Sequence, residues 1–274
     1  MGKTDEAEAD LLKARAIGDN YDIQTLLLNV YRRSGDREKH HAILAEARAK
    51  SSDALFLSPI VDDHLMRNDT EGALAFLRKA MDTFPKDGFP YLRAYGLLMD
   101  EGKTAEAQTL ADSVVKENRT APAVVSYFSG IRSLAEKKPE QALAEFKGAC
   151  ARGAQFHQPY VEAGLILKDG REFAEAARYL NAARLLAPGN PRLLFEWADC
   201  SAAAGNLPDA LQGFSRAAAV EPGNPNIRLA LMKASWILGD KKTAMEQRRW
   251  LEANAAQALK AARQNDPLVA EILK

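Results

Sequence analysis

The chain has 274 residues, and its 37 Lys and Arg are balanced by 37 Asp and Glu, so the formal net charge is zero. A neutral chain supplies no basic field for nucleic acid, and no apolar run reaches the roughly 18 residues of a spanning helix, so neither nucleic-acid binding nor direct membrane insertion is expected. Hydrophobic residues make up 47%, but much of that share is alanine, which suits close packing of helices.

Apolar residues recur at helical spacing along the chain, punctuated by Gly, Asn, Asp and Pro. The pattern predicts a lone helix over 4–17. Helix pairs follow over 22–34 with 36–50, 55–67 with 70–84, 89–101 with 104–117, and 122–136 with 139–152. Three more pairs run over 158–168 with 172–186, 192–204 with 208–220, and 226–238 with 241–253. Residues 257–263 extend the last helix or begin a cap. Asp266-Pro267 then restarts a short helix through Ile272, with Asp as N-cap and Pro at the first helical position. No strand, linker or low-complexity segment is expected.

These pairs repeat. Pro-Gly-Asn-Pro stands at 188–191 and again at 222–225, 34 residues later, and periodicity of this length takes precedence over any globular reading. A small residue recurs at Ala7, Ala73, Ala107, Ala142, Ala176, Ala210 and Ala244, with His40 in its place once. Four residues later come Leu11, Leu44, Leu77, Ala111, Phe146, Leu180, Phe214 and Arg248. Three further on stand Ala14, Ala47, Ala80, Val114, Ala149, Ala183, Ala217 and Leu251. Spacings of four and three place these on one helix face. Turn residues precede most of these helices: Gly2, Gly35, Asn68, Gly102, Gly170, Gly205 and Gly239.

At these residues the chain resembles the tetratricopeptide repeat family. Gly205, Leu207, Ala210, Phe214, Ala217 and Pro222 follow its pattern, and Tyr160 and Gly164 carry its first-helix signature. Ala198 and Gly130 keep the family's small first-helix residue; Val61, Tyr95 and Met232 replace it. Arg228 and Arg248 depart from the pattern in the last repeat, as an end-of-array feature. The resemblance covers essentially the whole chain. It implies an all-α, right-handed α-solenoid superhelix of about seven helix pairs, with partial or capping helices at both ends. The expected organisation is one array: a half repeat in the first 20 residues, repeats near 21–53, 54–87, 88–122, 123–156, 157–190, 191–224 and 225–254, and a cap over 255–274. A helix without its partner at the start predicts a segment of a longer array, with targeting information outside it.

Chemistry is sparsely signalled. His40 and His41 are adjacent and diverge by about 100° on a helix, so they do not make a metal pair. His64 and Asp62 could together approach a cation, but suit solvated or packing roles better, and His157 a packing or capping one. Cys150 and Cys200 fall in non-adjacent repeats, too far apart for a disulfide, and read as small buried hydrophobes. GxSxG, a phosphate loop and Cys-x-x-Cys are absent from the sequence. No catalytic residue, cofactor or metal is expected.

In the resembled family the first helix of each pair lines a concave groove where partners bind. Projecting the repeat phase gives a lining of Phe89, Leu92, Met99, Val124, Tyr127, Ile131, Leu134, Val161, Leu165, Lys168, Arg192 and Phe195. The middle is apolar and the ends are charged. One expectation is a partly apolar peptide or protein segment as partner, flanked by Arg32, Arg33, Lys168 and Arg192; the other is that tight superhelical curvature buries these lining residues against each other. Thr25, Leu92, Tyr127 and Val161 stand where a chaperone-tail clamp has lysines, and only Asn29 matches, so that clamp is rejected. The leading expectation is a non-catalytic interaction scaffold. Its turns and alanine content look like bacterial proteins of assembly, secretion or exopolysaccharide export, soluble in cytoplasm or periplasm. The alternatives are a recognition segment of a larger enzyme or membrane-export protein, and self-association through end repeats.

Overall fold

The computed structural model describes residues 2–50 and 57–274. Among them are seventeen helices and no strand, and the chain divides into two compact units, Met1–Val125 and Ser126–Lys274. The first unit contains α1 (Gly2–Ile17), α2 (Tyr21–Ser34), α3 (Arg37–Lys50), α4 (Leu57–Met66), α5 (Thr70–Thr83), α6 (Phe89–Asp100) and α7 (Thr104–Glu117). Helix α8 (Pro122–Ala135) begins there and ends in the second unit. That unit continues with α9 (Pro139–Ala151), α10 (Gln158–Asp169), α11 (Phe173–Leu186), α12 (Pro191–Ala203), α13 (Leu207–Val220), α14 (Pro225–Ile237), α15 (Lys241–Asn254), α16 (Ala256–Asn265) and α17 (Pro267–Ile272). From α1 to α7, and again from α9 to α17, each helix packs on the next. This is the α-solenoid arrangement of stacked hairpins. The start of the helix expected over 55–67 lies outside the described residues.

Local sequence explains the helix ends. In each Pro-Gly-Asn-Pro the Asn is the N-cap and the second Pro the first helical residue. The Asn190 side chain accepts from the Arg192 and Leu193 amides, and Asn224 from those of Asn226 and Ile227. Pro needs no amide partner at that position and arrives with a helical φ. Asp266 caps α17 in the same way. Within the hairpins the chain reverses through a left-handed residue. Gly205 takes it at φ 84°, but Arg171 at 62° and Lys137 at 59° do so without glycine. The turn expected at Gly170 therefore pivots one residue later.

The repeating face closes the hairpins. Ala73, Ala107, Ala142, Ala176, Ala210 and Ala244 are fully buried, as are Leu44, Leu77, Ala111, Phe146 and Leu180. Small first-helix residues let the larger second-helix side chain in. A Cβ at Gly164 would lie 2.7 Å from Leu180 Cγ, and one at Gly130 2.7 Å from Phe146 Cδ1. Both pairs are 16 residues apart. Tyr95 and Ala111 stand at the same offset in the sequence, with the large and small residues exchanged between the helices.

The last helices complete the second unit's core. Leu259 of α16, with Val269 and Ile272 of α17, joins Met232, Ala244 and Leu251 in one apolar cluster. Lys233 Nζ meets Asp266 Oδ2 at 2.5 Å. The two unusual arginines have structural roles. Arg248 donates to the Ile272 carbonyl at 2.9 Å. Arg228 donates to the Pro222 carbonyl and to Gln247 Oε1, and its guanidinium lies over the Trp250 ring. At the other end, α1 is held by Glu8, which accepts from the Tyr31 hydroxyl at 3.3 Å and from Lys39 at 2.7 Å.

Candidate functional site

The expected lining lies on the first helix of each pair, α6 in the first unit, α10 and α12 in the second, and α8. The structure places it in three environments. Met99 and Arg192 are exposed. Phe89, Leu92, Ile131, Leu134, Val161, Leu165 and Phe195 are half-buried. Val124 and Tyr127 are 3% and 4% exposed and belong to the core. Val124 rests on the backbone at Gly88, where a Cβ would meet its Cγ2 at 2.5 Å. Tyr127 packs among Phe128, Phe146 and Phe156 with ring centroids 5.2, 5.9 and 5.7 Å away. Those aromatic contacts remove Tyr127 from any surface, so the expectation that it and Val124 line a groove is corrected.

Two of the four expected flanking cations, Lys168 and Arg32, are paired within the fold, while Arg33 and Arg192 are exposed. Lys168 Nζ lies 2.8 Å from Glu196 and 2.6 Å from Asp199. Burial pulls the Lys168 ammonium down, but its hydrogen bonds to Asp199 and Glu196 outweigh this and hold it above the usual lysine range. Arg32 donates to Asp62 Oδ2 at 3.0 Å and to Asn29 Oδ1 at 2.9 Å. Burial raises the Glu162 carboxyl, and Arg192 opposes that rise.

The histidines sort differently from the sequence expectation. Asp62 pairs with Arg32, while His64 Nδ1 lies 2.8 Å from Asp69 Oδ2, so His64 and Asp62 do not act together. Asp63, which the sequence did not single out, is buried and central. Arg67 makes an ion pair with it, and the Nδ1 atoms of His40 and His41 each lie 3.5 Å from its oxygens. Burial holds His40 below the usual imidazole range although Asp63 pulls the other way. His157 is half-buried, forms no side-chain cap, and is likewise shifted down by burial. The cysteines are free; burial pushes the Cys150 thiol up to about 12 and the Cys200 thiol up to about 11. Among the described residues no cluster of three or more His, Cys, Asp or Glu could hold a metal ion. None of the described helices is long and apolar enough to cross a membrane.

Two cavities in the first unit differ in character. One, of about 260 Å³, lies between α5, α6 and α7 with Leu74, Ala94, Leu98 and Leu110 in its wall and the Arg78–Glu106 ion pair at 3.1 Å on its rim. The other, of about 270 Å³, lies among α2, α3 and α4 and is more polar: Thr25, Asn29, Arg32, His40, Ser58 and Asp62 line it together with Leu28 and Pro59. The signal for the second was visible in the sequence as His40 in a slot that is otherwise alanine.

The chain's relatives share this architecture. Its structure is similar to the complex Cut9–Hcn1 of the APC/C, with a TM-score of 0.55 and 14% identity over 98% of this chain and 52% of that one. It is similar to PilW, a type IV pilus biogenesis factor, with a TM-score of 0.53 and 18% identity over 80% of this chain and 97% of that one. YrrB, whose structure is described as having an unusual peptide-binding site, is 20% identical over 71% of this chain and 96% of its own, with a TM-score of 0.48. No curated protein matches the sequence significantly. The tetratricopeptide repeat model matches residues 25–273, and the chain belongs to that family.

Proposed function

We propose that the chain is a non-catalytic protein-interaction scaffold that holds a partner segment on the first helices of its pairs. Proteins of this repeat serve generally as interaction scaffolds. The observation that carries the reading is the run of apolar side chains that the first helices leave partly accessible along the array. The repeating face of the second helices is closed, with Ala107, Ala176 and Leu180 at 0% exposure. The first helices keep apolar side chains partly accessible: Phe89, Leu92 and Met99 in one unit, Val161, Leu165 and Phe195 in the other. Accessible apolar surface of this kind marks a binding face. The partner is a protein segment with apolar side chains. Arg192 is the exposed cation of the lining; the charges of Lys168 and Arg32 are met internally. A role in assembly is in keeping with the fold it shares with PilW, a type IV pilus biogenesis factor.

Capture from source lysate tests this. The variant Met99→Glu with Arg192→Glu changes exposed residues of the lining and leaves the core intact. Leu185→Glu changes a residue on α11 that is 66% exposed, away from the lining. A partner retained by wild type and Leu185→Glu but lost by the double variant supports the reading. A partner lost only by Leu185→Glu moves the interaction to the second helices.

A further inference from the structure

The polar cavity among α2, α3 and α4 has the chemistry of a selective subsite. Thr25 Oγ1 is a buried polar atom without a hydrogen bond in the protein and belongs to this cavity, while His40, also of its lining, turns Nδ1 toward Asp63. His40 is 2% exposed, and its Nδ1 stands 3.5 Å from Asp63. Elsewhere the corresponding position is a buried alanine, as at Ala73 and Ala107. A volume of about 270 Å³ falls just below the span of pockets that enclose a whole small molecule, roughly 300–1,000 Å³. It suits one side chain of a larger ligand.

Charge selects which side chain. Arg32 is already matched by Asp62 at 3.0 Å and also donates to Asn29 at 2.9 Å. An entering carboxylate or ammonium would add an unmatched charge to this balanced pair and give up hydration to do so. A neutral group does not. The hydroxyls of Thr25 and Ser58 and the amide of Asn29 each offer donor and acceptor capacity. The carboxamide is the protein side chain that presents two donors and an acceptor in one rigid plane.

We propose that this cavity is the specificity pocket for a carboxamide side chain, Asn or Gln, carried by the bound partner segment. The assignment rests on the reading of the first helices as the partner face. It adds a chemical requirement at the first unit that the apolar lining does not supply.

NMR on the full chain, titrated with N-acetyl-glutamine methylamide, reads the pocket without the partner. Matching titrations use the glutamate, lysine and alanine methylamides. The expected result is saturating shifts of Thr25, Asn29 and His40 resonances with the glutamine probe. The other three should half-saturate at concentrations about fivefold higher or more, as a site built to hydrogen-bond a group rejects analogues lacking it. Thr25→Val keeps the side-chain shape, so folding is preserved, and it should weaken the glutamine probe selectively. An equal response to the alanine probe would show that main-chain amide is what binds and would overturn the side-chain assignment. An equal response to glutamate would overturn the charge argument, and silence with every probe would overturn the pocket. Silence together with partner capture leaves the scaffold reading standing and removes this inference alone.

Discussion

Gly130 and Phe146 are a matched pair: the ring of Phe146 occupies the space that a Cβ at Gly130 would need, with Cδ1 at 2.7 Å from that position. The absence of a side chain on α8 is what admits an aromatic ring on α9. The same relation holds for Gly164 and Leu180. It sets the approach of the two helices, and it makes glycine a packing residue here. Neither Gly130 nor Gly164 has a positive φ.

Gly130→Ala should therefore destabilise the chain although alanine is the better helix former. Overpacking costs about 1–3 kcal/mol, against a gain of about 1 kcal/mol in helix propensity. Gly96 on α6 is the internal control, since nothing lies within 4 Å of its Cβ position. Gly96→Ala should stabilise by about 0.5–1 kcal/mol. Urea denaturation followed by circular dichroism checks both. Equal effects of the two substitutions would show that the Phe146 contact does not set the cost.

His40 supplies a pH dependence whose sign follows from its burial. Its folded pKa is lowered, so protons bind more readily to the unfolded chain. Above the unfolded value of about 6.5 both states are neutral and the full stability is present. As the pH falls below that value the unfolded state takes up the proton first, and stability declines until the folded pKa is reached. His157 contributes in the same direction. His40→Ala should thus give a shallower fall in the urea midpoint between pH 7.5 and pH 5, with His157's share remaining. Its absolute stability at pH 7.5 should fall as well, because alanine leaves a cavity beside Asp63. A slope identical to wild type would mean that the fold does not perturb His40, and a steeper one that the fold favours its protonated form.

What the sequence revealed, and what it hid, divides along the same physical lines. The second-helix faces were legible because each hairpin repeats the same close contact, so Ala142, Phe146 and Ala149 announce their burial by spacing alone. Asp266-Pro267 announced α17 because capping is a local interaction. The lining was read less well. Phase put Tyr127 on the open side of α8, but Phe156, which lies in the connection ahead of α10, closes against it. A connection has no period, so its side chains cannot be placed by projection. Asp63 was missed for a related reason: its partners His40 and His41 are on α3, and only the stacking of α3 on α4 brings them together. Arg248 looked like an end-of-array irregularity, and the structure gives it a specific task at the Ile272 carbonyl.

That task makes the last helix a measurable part of the second unit's stability. Ile272 is 2% exposed in the cluster with Met232, Ala244 and Leu251. Its removal to alanine deletes buried methylene groups and leaves the cavity unfilled, at a cost of about 2–5 kcal/mol for a site that cannot collapse. A short helix such as α17 has little stability of its own, so here the structure can relax by releasing it, and the lower end of that range is expected. Release would also free Trp236, whose Nε1 donates to Glu271 at 3.4 Å. Ile272→Ala should therefore lower the urea midpoint and red-shift the tryptophan emission of the native baseline. Loss of stability with an unshifted emission would mean that α17 stays docked over the cavity, and the full cavity cost, toward 5 kcal/mol, would then apply.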